Sequence, residues 1–501
     1  MLTLNTRTHQ EYVAFVSSQN CPMPARHYWV QQALLLCDLT LVRFMMLFTY
    51  SLSLGRPAWP PEDIFRSMLA MVLCGITSFE VWVDKMREES FYAVISGFHP
   101  QSVPGVGTFY DFADRIVGIT NISKRRLRVK WRTARDKQKS TKDKNADTRK
   151  HADIARRLVA RISKVTRKIK SQWEFDDSKY ARYEVVLKAI FYVCFVAKSI
   201  EKGIIDLENL FVAGDGTKLK TWSNPHGKKV CSCQDRCNCK RQFTDFHARW
   251  GYDSYRECYV YGHSKYELTA YSLNHKIQVP LVVRMADCNR HDLILGISAL
   301  REACEWLNFP VKVGTFDAAH DAFAFYQLGF QRYSAAQVIP INPKNTGNFT
   351  YPQPIEYKED GTPICMNGKE MYYWGYCKDR MRLKWRCPLI ATKSSDDIST
   401  CKFREQCSKS SYGRVVFTYP TTNYRLFTVI PRNTELFKKH YKHRSCAERS
   451  VKRQKFDFAL NQTRTAGRER WFLRVMLAAM AQHIAAWWMI KEGKQSLPEA
   501  A

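Results

Sequence analysis

The chain has 501 residues, 78 of them Lys or Arg against 47 Asp or Glu, for a formal net charge of +31. With 45% hydrophobic and 13% aromatic residues it can bury real cores, which excludes a disordered tail, and its length predicts roughly two to four domains. The cationic surplus points to a polyanionic partner, because each Lys or Arg set on a phosphate releases condensed counterions; a simply basic or ribosome-associated protein is the blander reading.

Met1–Arg7 shows no charged start followed by an apolar core, so a cytoplasmic location is expected. In that compartment the 17 cysteines are reduced thiols, and clustered ones are metal-ligand candidates before they are disulfides. Ala33–Leu54 is broken by Asp38 and Arg43, and Val475–Ile490 contains Gln482 and His483, so both fall short of the ~20 apolar residues of a membrane span. Both predict buried helices and no membrane partner. His483, on an apolar helix, is expected to be a satisfied core residue.

Residues 28–120 predict a compact helical domain. Pro60-Pro61-Glu62-Asp63 is a helix start, followed by Ile64, Met68, Val72 and Leu73 at helical spacing, and a short helix is expected over Thr108–Ile116. Residues 121–182 predict a basic linker, helical in parts. Lys124 to Lys170 holds 20 Lys/Arg and 4 Asp/Glu, and the cluster Lys124, Arg125, Arg126 and Arg128 calls for phosphates or solvent.

From 183 a hydrophobic helix (Tyr183–Ala197) leads into short β-type runs: Leu210–Ala213, Cys258–Tyr261, Glu267–Tyr271 and Pro280–Val283. A helix over 291–307, the strand Val311–Phe316, a helix around 319–328 and the strand Ala336–Ile341 follow. Strands that meander and then alternate with helices predict a mixed α/β sheet spanning 183–344. Residues 345–432 are rich in aromatics, turns and cysteines. Helices over 434–456 and 467–491 complete a core of 183–344 and 433–492.

Two cysteine groups stand out. Cys231, Cys233, Cys237 and Cys239 pack four thiols into nine residues and predict a structural Zn²⁺ site, with free thiols as the alternative; the C-x-C spacing is tighter than usual. Cys377, Cys387, Cys401 and Cys407 form a looser second candidate, with Cys365 as a spare. Either ion would staple loops too poor in apolar residues to fold alone.

On a continuous helix, Tyr441, Arg444, Glu448 and Lys455 project within about 60° of one another, with Lys452 beside them. One Glu cannot neutralise so many cations, so an exposed helix with helpful ion pairs explains the arrangement less well than a metal-holding carboxylate beside phosphate-gripping groups. Asp215, flanked by glycines, and Asp317 each follow a β-type run, a position also taken by turn formers and helix N-caps. Two Asp on neighbouring strands and a Glu on a later helix can hold two Mg²⁺, which prefer hard oxygen ligands. Such a pair serves both ends of an in-line displacement at phosphorus. His291-Asp292 hints at a metal phosphohydrolase, but reads better as support for this site.

Tyr441-x2-Arg444-x3-Glu448-x6-Lys455 resembles the YREK signature of bacterial and archaeal insertion-sequence DDE transposases at every spacing. Val212–Leu219 resembles that family's first Asp motif, and Tyr261–Lys265 with Asn289–Asp292 its intervening strand and loop motifs. Arg56–Glu62 with Val103–Phe109 resembles the helical domain that often precedes its catalytic core. Gly214 and His320 depart from it, standing where an apolar and an aromatic residue are common.

The resemblance implies a ribonuclease-H-like fold with a β/Cys-rich insertion, possible to staple with zinc, in the 131-position gap between Asp317 and Glu448. It also implies a transposase whose catalytic Asp215, Asp317 and Glu448 bind two Mg²⁺, with Mn²⁺ able to substitute. Such an enzyme cleaves transposon ends and joins the 3′-OH to target DNA. Tyr441, Arg444, Lys452, Lys455 and the basic cluster would grip double-stranded DNA, namely terminal inverted repeats and target. A homodimer is expected in the DNA complex, nucleoid-associated when bound. The rival readings are a catalytically inactive, domesticated DNA-binding descendant and a zinc-containing RNA-binding factor.

Overall fold

The protein is seen in a computed structural model that describes residues 7–46, 49–50, 58–119, 131–133, 182–234, 237–254, 256–343, 356–391, 401–494 and 496–498. Helices α1 (His9–Ser18), α2 (Tyr28–Leu34), α3 (Thr40–Met46), α4 (Pro61–Leu73), α5 (Phe79–Glu88), α6 (Ser90–Ser96) and α7 (Val106–Ile116) form the N-terminal part. As expected, α4 starts on Pro61, where a missing N–H costs nothing, and Glu62 and Asp63 occupy its first turn. Every residue of α4 is buried. Its charges are therefore paired: Asp63 with Arg66, whose guanidinium lies 3.7 Å from the Tyr12 ring centroid.

The basic cluster Lys124, Arg125, Arg126 and Arg128 lies outside the described residues. Of the linker, β1 (Trp131–Thr133) is described, and it pairs antiparallel with β3 (Lys240–Gln242), just after the first cysteine group. The expected hydrophobic helix is α8 (Arg182–Ile190), extended by a π-helical stretch Phe191–Val196 and α9 (Ala197–Glu201).

The central sheet is built from β2 (Leu210–Lys220), β4 (Arg249–Asp253), β5 (Cys258–Tyr271), β6 (Gln278–Asp287), β7 (Val311–Phe316) and β8 (Ala336–Val338). Its order is β4-β5-β2-β7-β8, with β6 also on β5. The β6-β5-β2 portion is antiparallel and β2-β7-β8 is parallel, so the sheet is mixed, as read from the sequence. The runs Cys258–Tyr261 and Glu267–Tyr271 are one 14-residue strand. Its middle, Gly262-His263-Ser264-Lys265, is polar in sequence but buried, His263 Nε2, Ser264 Oγ and Lys265 Nζ each finding a partner inside the fold.

Asp215 was expected at a strand end; instead β2 continues five residues past it, because β5 pairs with it as far as Lys220. Only the parallel partner stops, at Gly214↔Phe316, so Asp215 and Asp317 leave that register side by side. The expected helix over 291–307 is α10 (Asp292–Arg301) followed by a π-helical Glu302–Trp306. After β7 comes a 3-10 turn, Ala318–His320, then α11 (Phe323–Tyr333).

Between the last sheet strand and the C-terminal helices lie β9 (Glu356–Tyr357), β10 (Pro363–Ile364), β11 (Tyr372–Cys377), β12 (Arg382–Arg386), α12 (Pro388–Ala391), α13 (Arg404–Cys407) and β13 (Val415–Thr418). Strands β11-β12-β13 form a separate sheet over a small core of Met371, Leu383, Trp385, Val416, Leu426 and Phe427. The chain returns through α14 (Glu435–Tyr441), a 3-10 turn Lys442–Arg444, α15 (Ser445–Phe456) and α16 (Arg468–Lys491). The single helix expected over 434–456 is thus broken.

Helix α16 is long and apolar enough to cross a membrane by composition, yet residues from Trp471 to Met489 are almost all buried within the fold. It packs on β6, α2, α4 and α8, so one apolar cluster runs from the N-terminal helices through the sheet. Its reach explains why a 16-residue apolar stretch needs no lipid.

Candidate active site and metal sites

Residues of β2 alternate between two covered faces. Ala213 packs against Cys446 and Ala447 of α15. On the other face, a side chain at Gly216 would collide with the Asp292 carboxylate, and one at Gly214 with Tyr266 and Phe316. The glycines flanking Asp215 are therefore fixed by close packing; neither has a positive φ.

Burial pushes the Asp215 carboxyl up to about 7, and the neighbouring Asp317 and Asp292 charges add to the rise while Arg444 opposes it. For Asp317 burial also acts upward, but the His320 hydrogen bond and charge and the Arg444 charge outweigh it and hold the group below its ordinary value. His320 is clamped at both ring nitrogens, Nδ1 to Asp317 Oδ1 at 2.5 Å and Nε2 to the Tyr266 hydroxyl at 2.9 Å. Two adjacent carboxylates with unequal proton affinity result.

Glu448 lies one residue beyond the Cys446–Ala447 contact with β2 and pairs with Arg444 one turn back. The Arg444 guanidinium is charge-coupled to Asp215 as well as Glu448, and the Tyr441 hydroxyl to both Asp317 and Glu448. Arg444 and Tyr441 thus link the two strand aspartates to the helix glutamate. The 3-10 turn keeps Tyr441 and Arg444 on one side despite the break in the helix, since three residues complete its turn. Lys455 donates to Thr217 Oγ1, and burial, with the charges of Arg256 and Lys265, holds its ammonium down at about 8. Lys452 is exposed.

A buried network holds α15 on the sheet. Glu267, opposite Asp215 in the β2–β5 register, accepts from Lys265 at 2.6 Å, Gln454 Nε2 at 2.9 Å, Thr269 at 2.9 Å and Ser450. Gln454 also donates to Gln482 of α16 at 2.9 Å, and Gln482 to the Gln278 carbonyl at 3.0 Å. Sequence reading saw Glu267 only as part of a strand. The signal available was Lys265, two residues earlier on the same face of the strand. Asp292 sits 3.6 Å from Lys218 and beside Gly216, consistent with its reading as support for this site.

The first cysteine group is brought together. The Sγ atoms of Cys231, Cys233, Cys237 and Cys239 lie within 4.8 Å of one another, Cys231 and Cys237 at 3.3 Å and Cys233 and Cys239 at 3.8 Å. A tetrahedral ion with Zn–S bonds of ~2.3 Å requires S···S separations of ~3.8 Å, so the four thiols can hold a metal. The second group is not assembled in this way. Cys387, Cys401 and Cys407 line one small cavity together with Cys365, whereas Cys377 is exposed on β11, outside it. Among the described residues, only the first group gathers three or more ligand atoms at metal-holding distance. The pairing of β11 with β12 puts Cys377 at the hairpin end, opposite Arg382, whereas Cys387 follows the other end of β12, which spacing could not foretell.

Residues 364–487 match the sequence family described as Transposase DDE domain. Over that stretch the chain is similar to a transposase DDE domain. The matched stretch, about a quarter of the chain, holds Tyr441, Arg444, Glu448 and Lys455 together with α15 and most of α16, while Asp215 and Asp317 precede it. Among curated proteins, none matches the chain.

Proposed function

We propose that this chain is a transposase that cleaves transposon ends and joins the exposed 3′-OH to target DNA. The observation that carries this reading is the adjacent, half-buried pair Asp215 and Asp317, both within the field of Arg444, which itself pairs with Glu448. The strand order β6-β5-β2-β7-β8, antiparallel on one side and parallel on the other, supports a ribonuclease-H-like core.

The three carboxylates supply the hard oxygen donors that divalent ions prefer; Asp215 and Asp317 stand side by side, Glu448 is held by Arg444, and the raised proton affinity of Asp215 marks a site that favours neutralising positive charge. Asp215, Asp317 and Glu448 would hold two Mg²⁺, or Mn²⁺ in their place, and these ions when bound would activate the attacking oxygen and steady the leaving one. His320 fixes the rotamer of Asp317. Arg444, Tyr441 and Lys455, with Lys452 outside them, bind the phosphates flanking the scissile bond, and a guanidinium suits bidentate phosphate contacts. The four-cysteine loop binds a structural Zn²⁺ that stiffens the segment paired through β3 to β1. The DNA-bound form is a dimer, acting in the cytoplasm at the nucleoid.

Cleavage of terminal-repeat DNA with Mg²⁺ tests this. Glu448→Gln should lower cleavage by at least about a hundredfold, the scale of losing a charge-stabilising group at a reacting phosphate. Equal activity of wild type and variant, or a preference for structured RNA at matched salt, overturns it. Purified protein should hold one zinc per chain, and Cys237→Ser should release it, read by elemental analysis; a metal-free wild type refutes the zinc assignment.

A further inference from the structure

Past Thr217, β2 carries Lys218 and Lys220 into a turn that, with β4, the start of β5 and the loop before α16, encloses a cleft of about 700 Å³. No acidic residue lines it among the described residues. Its walls carry large aromatics left in solvent: Trp222 and Tyr259 are each 59% exposed and Trp250 43%. Trp250 packs on Tyr261 with ring centroids 5.4 Å apart, which fixes one ring wall. Cations lie over Trp222, with Lys220 Nζ 5.1 Å and Arg464 Cζ 5.6 Å from the ring centroid, and Arg256 lines the opposite lip. Trp471 also lines the cleft; it is 1% exposed, and its indole N–H is a buried donor without a partner among the described residues.

An apolar ligand would leave that donor and the cations unmatched. A second copy of this chain would bring like charge to a positive lip. Duplex DNA would offer phosphates, but its bases are stacked inside and present no face to the rings. An unpaired strand offers all three: phosphates, bare base faces and oxygen acceptors. We propose that this cleft binds an unpaired segment of DNA, its bases stacking on Trp222, Trp250 and Tyr259 and its phosphates on Lys220 and Arg256. The inference deepens the transposase reading and rests on it for the source of the strand: four positions past Asp215 and on the same face of β2, Leu219 lines the cleft, about 13 Å away at ~3.3 Å per residue, so a strand opened at the carboxylates would run into the cleft.

The test is fluorescence-anisotropy binding of a labelled oligothymidine, the matching duplex and an oligouridine to the full chain without added divalent metal. Wild type should prefer oligothymidine. Trp222→Ala and Trp250→Ala should each weaken its binding roughly tenfold while leaving duplex binding unchanged, and Trp222→Phe should restore it, since stacking needs a ring and not an indole. Trp374→Ala, an equally exposed tryptophan on β11, should change nothing. Unchanged oligothymidine affinity in both cleft variants overturns the proposal, as does equal loss on duplex. Tighter oligouridine binding, or a shift in oligomer mass caused by either substitution, also overturns it. Because no metal or cleavage enters, an inactive Glu448→Gln protein that still binds through the cleft separates this inference from the catalytic one.

Discussion

His483 shows how a single residue can be satisfied at the centre of an apolar helix. Its Nε2–H donates to the Pro280 carbonyl at 2.8 Å, which makes Nδ1 the acceptor for the Ser199 hydroxyl at 2.7 Å, and Trp487 donates to that same hydroxyl. Burial holds the imidazole down at about 4. The folded value lies below the unfolded ~6.5, so the unfolded chain takes up the proton first. The stability this neutral ring contributes is present in full above pH ~6.5 and is lost as the pH falls towards 4. Thermal melts should therefore show the gap between wild type and His483→Gln narrowing steadily from pH 7 to pH 4.5; a constant gap refutes the account. The core role of His483 was legible in its apolar setting. The clamp of His320 on Asp317 was not, because the Tyr266 hydroxyl that fixes its far nitrogen comes from a strand 54 positions earlier.

At the scale of elements, α15 matters most, since it carries Glu448. Its polar residues face two ways: Glu448 and Lys455, with Arg444 of the preceding turn, towards the carboxylate site, Ser450 and Gln454 inward to Glu267 and Gln482. Removing the Gln454 amide leaves Glu267 and Gln482 short of a donor in the interior. Gln454→Leu should cost about 1–3 kcal/mol in urea unfolding, the penalty of an unsatisfied buried acceptor. It should also lower DNA cleavage more than DNA binding, because the helix bearing Glu448 loses its fixed seat. A loss confined to binding would contradict that role. The spacing of Tyr441, Arg444, Glu448 and Lys455 was readable in the sequence, while the inward face of the helix was not: Ser450 and Gln454 look like ordinary surface residues until β5 and α16 are placed beneath them.

Across the whole molecule, the inserted β-sheet is tied back to the central fold by charge. Arg425, late in the insertion, makes a bidentate pair with buried Asp321, Nη2 to Oδ2 at 2.6 Å and Nε to Oδ1 at 3.1 Å. The Tyr326 hydroxyl donates to the same carboxylate, and Arg432 lies 3.9 Å from it. Asp321 is four positions beyond Asp317, so the tie sets the insertion close to the active-site strand. Arg425→Met should strand a buried carboxylate and cost about 3 kcal/mol or more, seen as a lower Tm. An unchanged Tm would show that Arg432 and Tyr326 suffice.

The sequence by itself determined the character of this protein: a cationic chain of buried helices and a mixed sheet, a helix face with one carboxylate among cations, and four thiols spaced tightly enough to share an ion. Those features are local, written in spacing and composition. What the tertiary structure decided is which distant groups meet. The parallel register of β2 and β7 sets Asp215 beside Asp317, 102 positions apart, where burial raises Asp215 and the His320 hydrogen bond holds Asp317 down. The inserted region gathers Cys365, not Cys377, with the later cysteines, and the central sheet opens an aromatic cleft from β2, β4 and β5. Such meetings depend on strand register and loop closure, which no short-range pattern encodes.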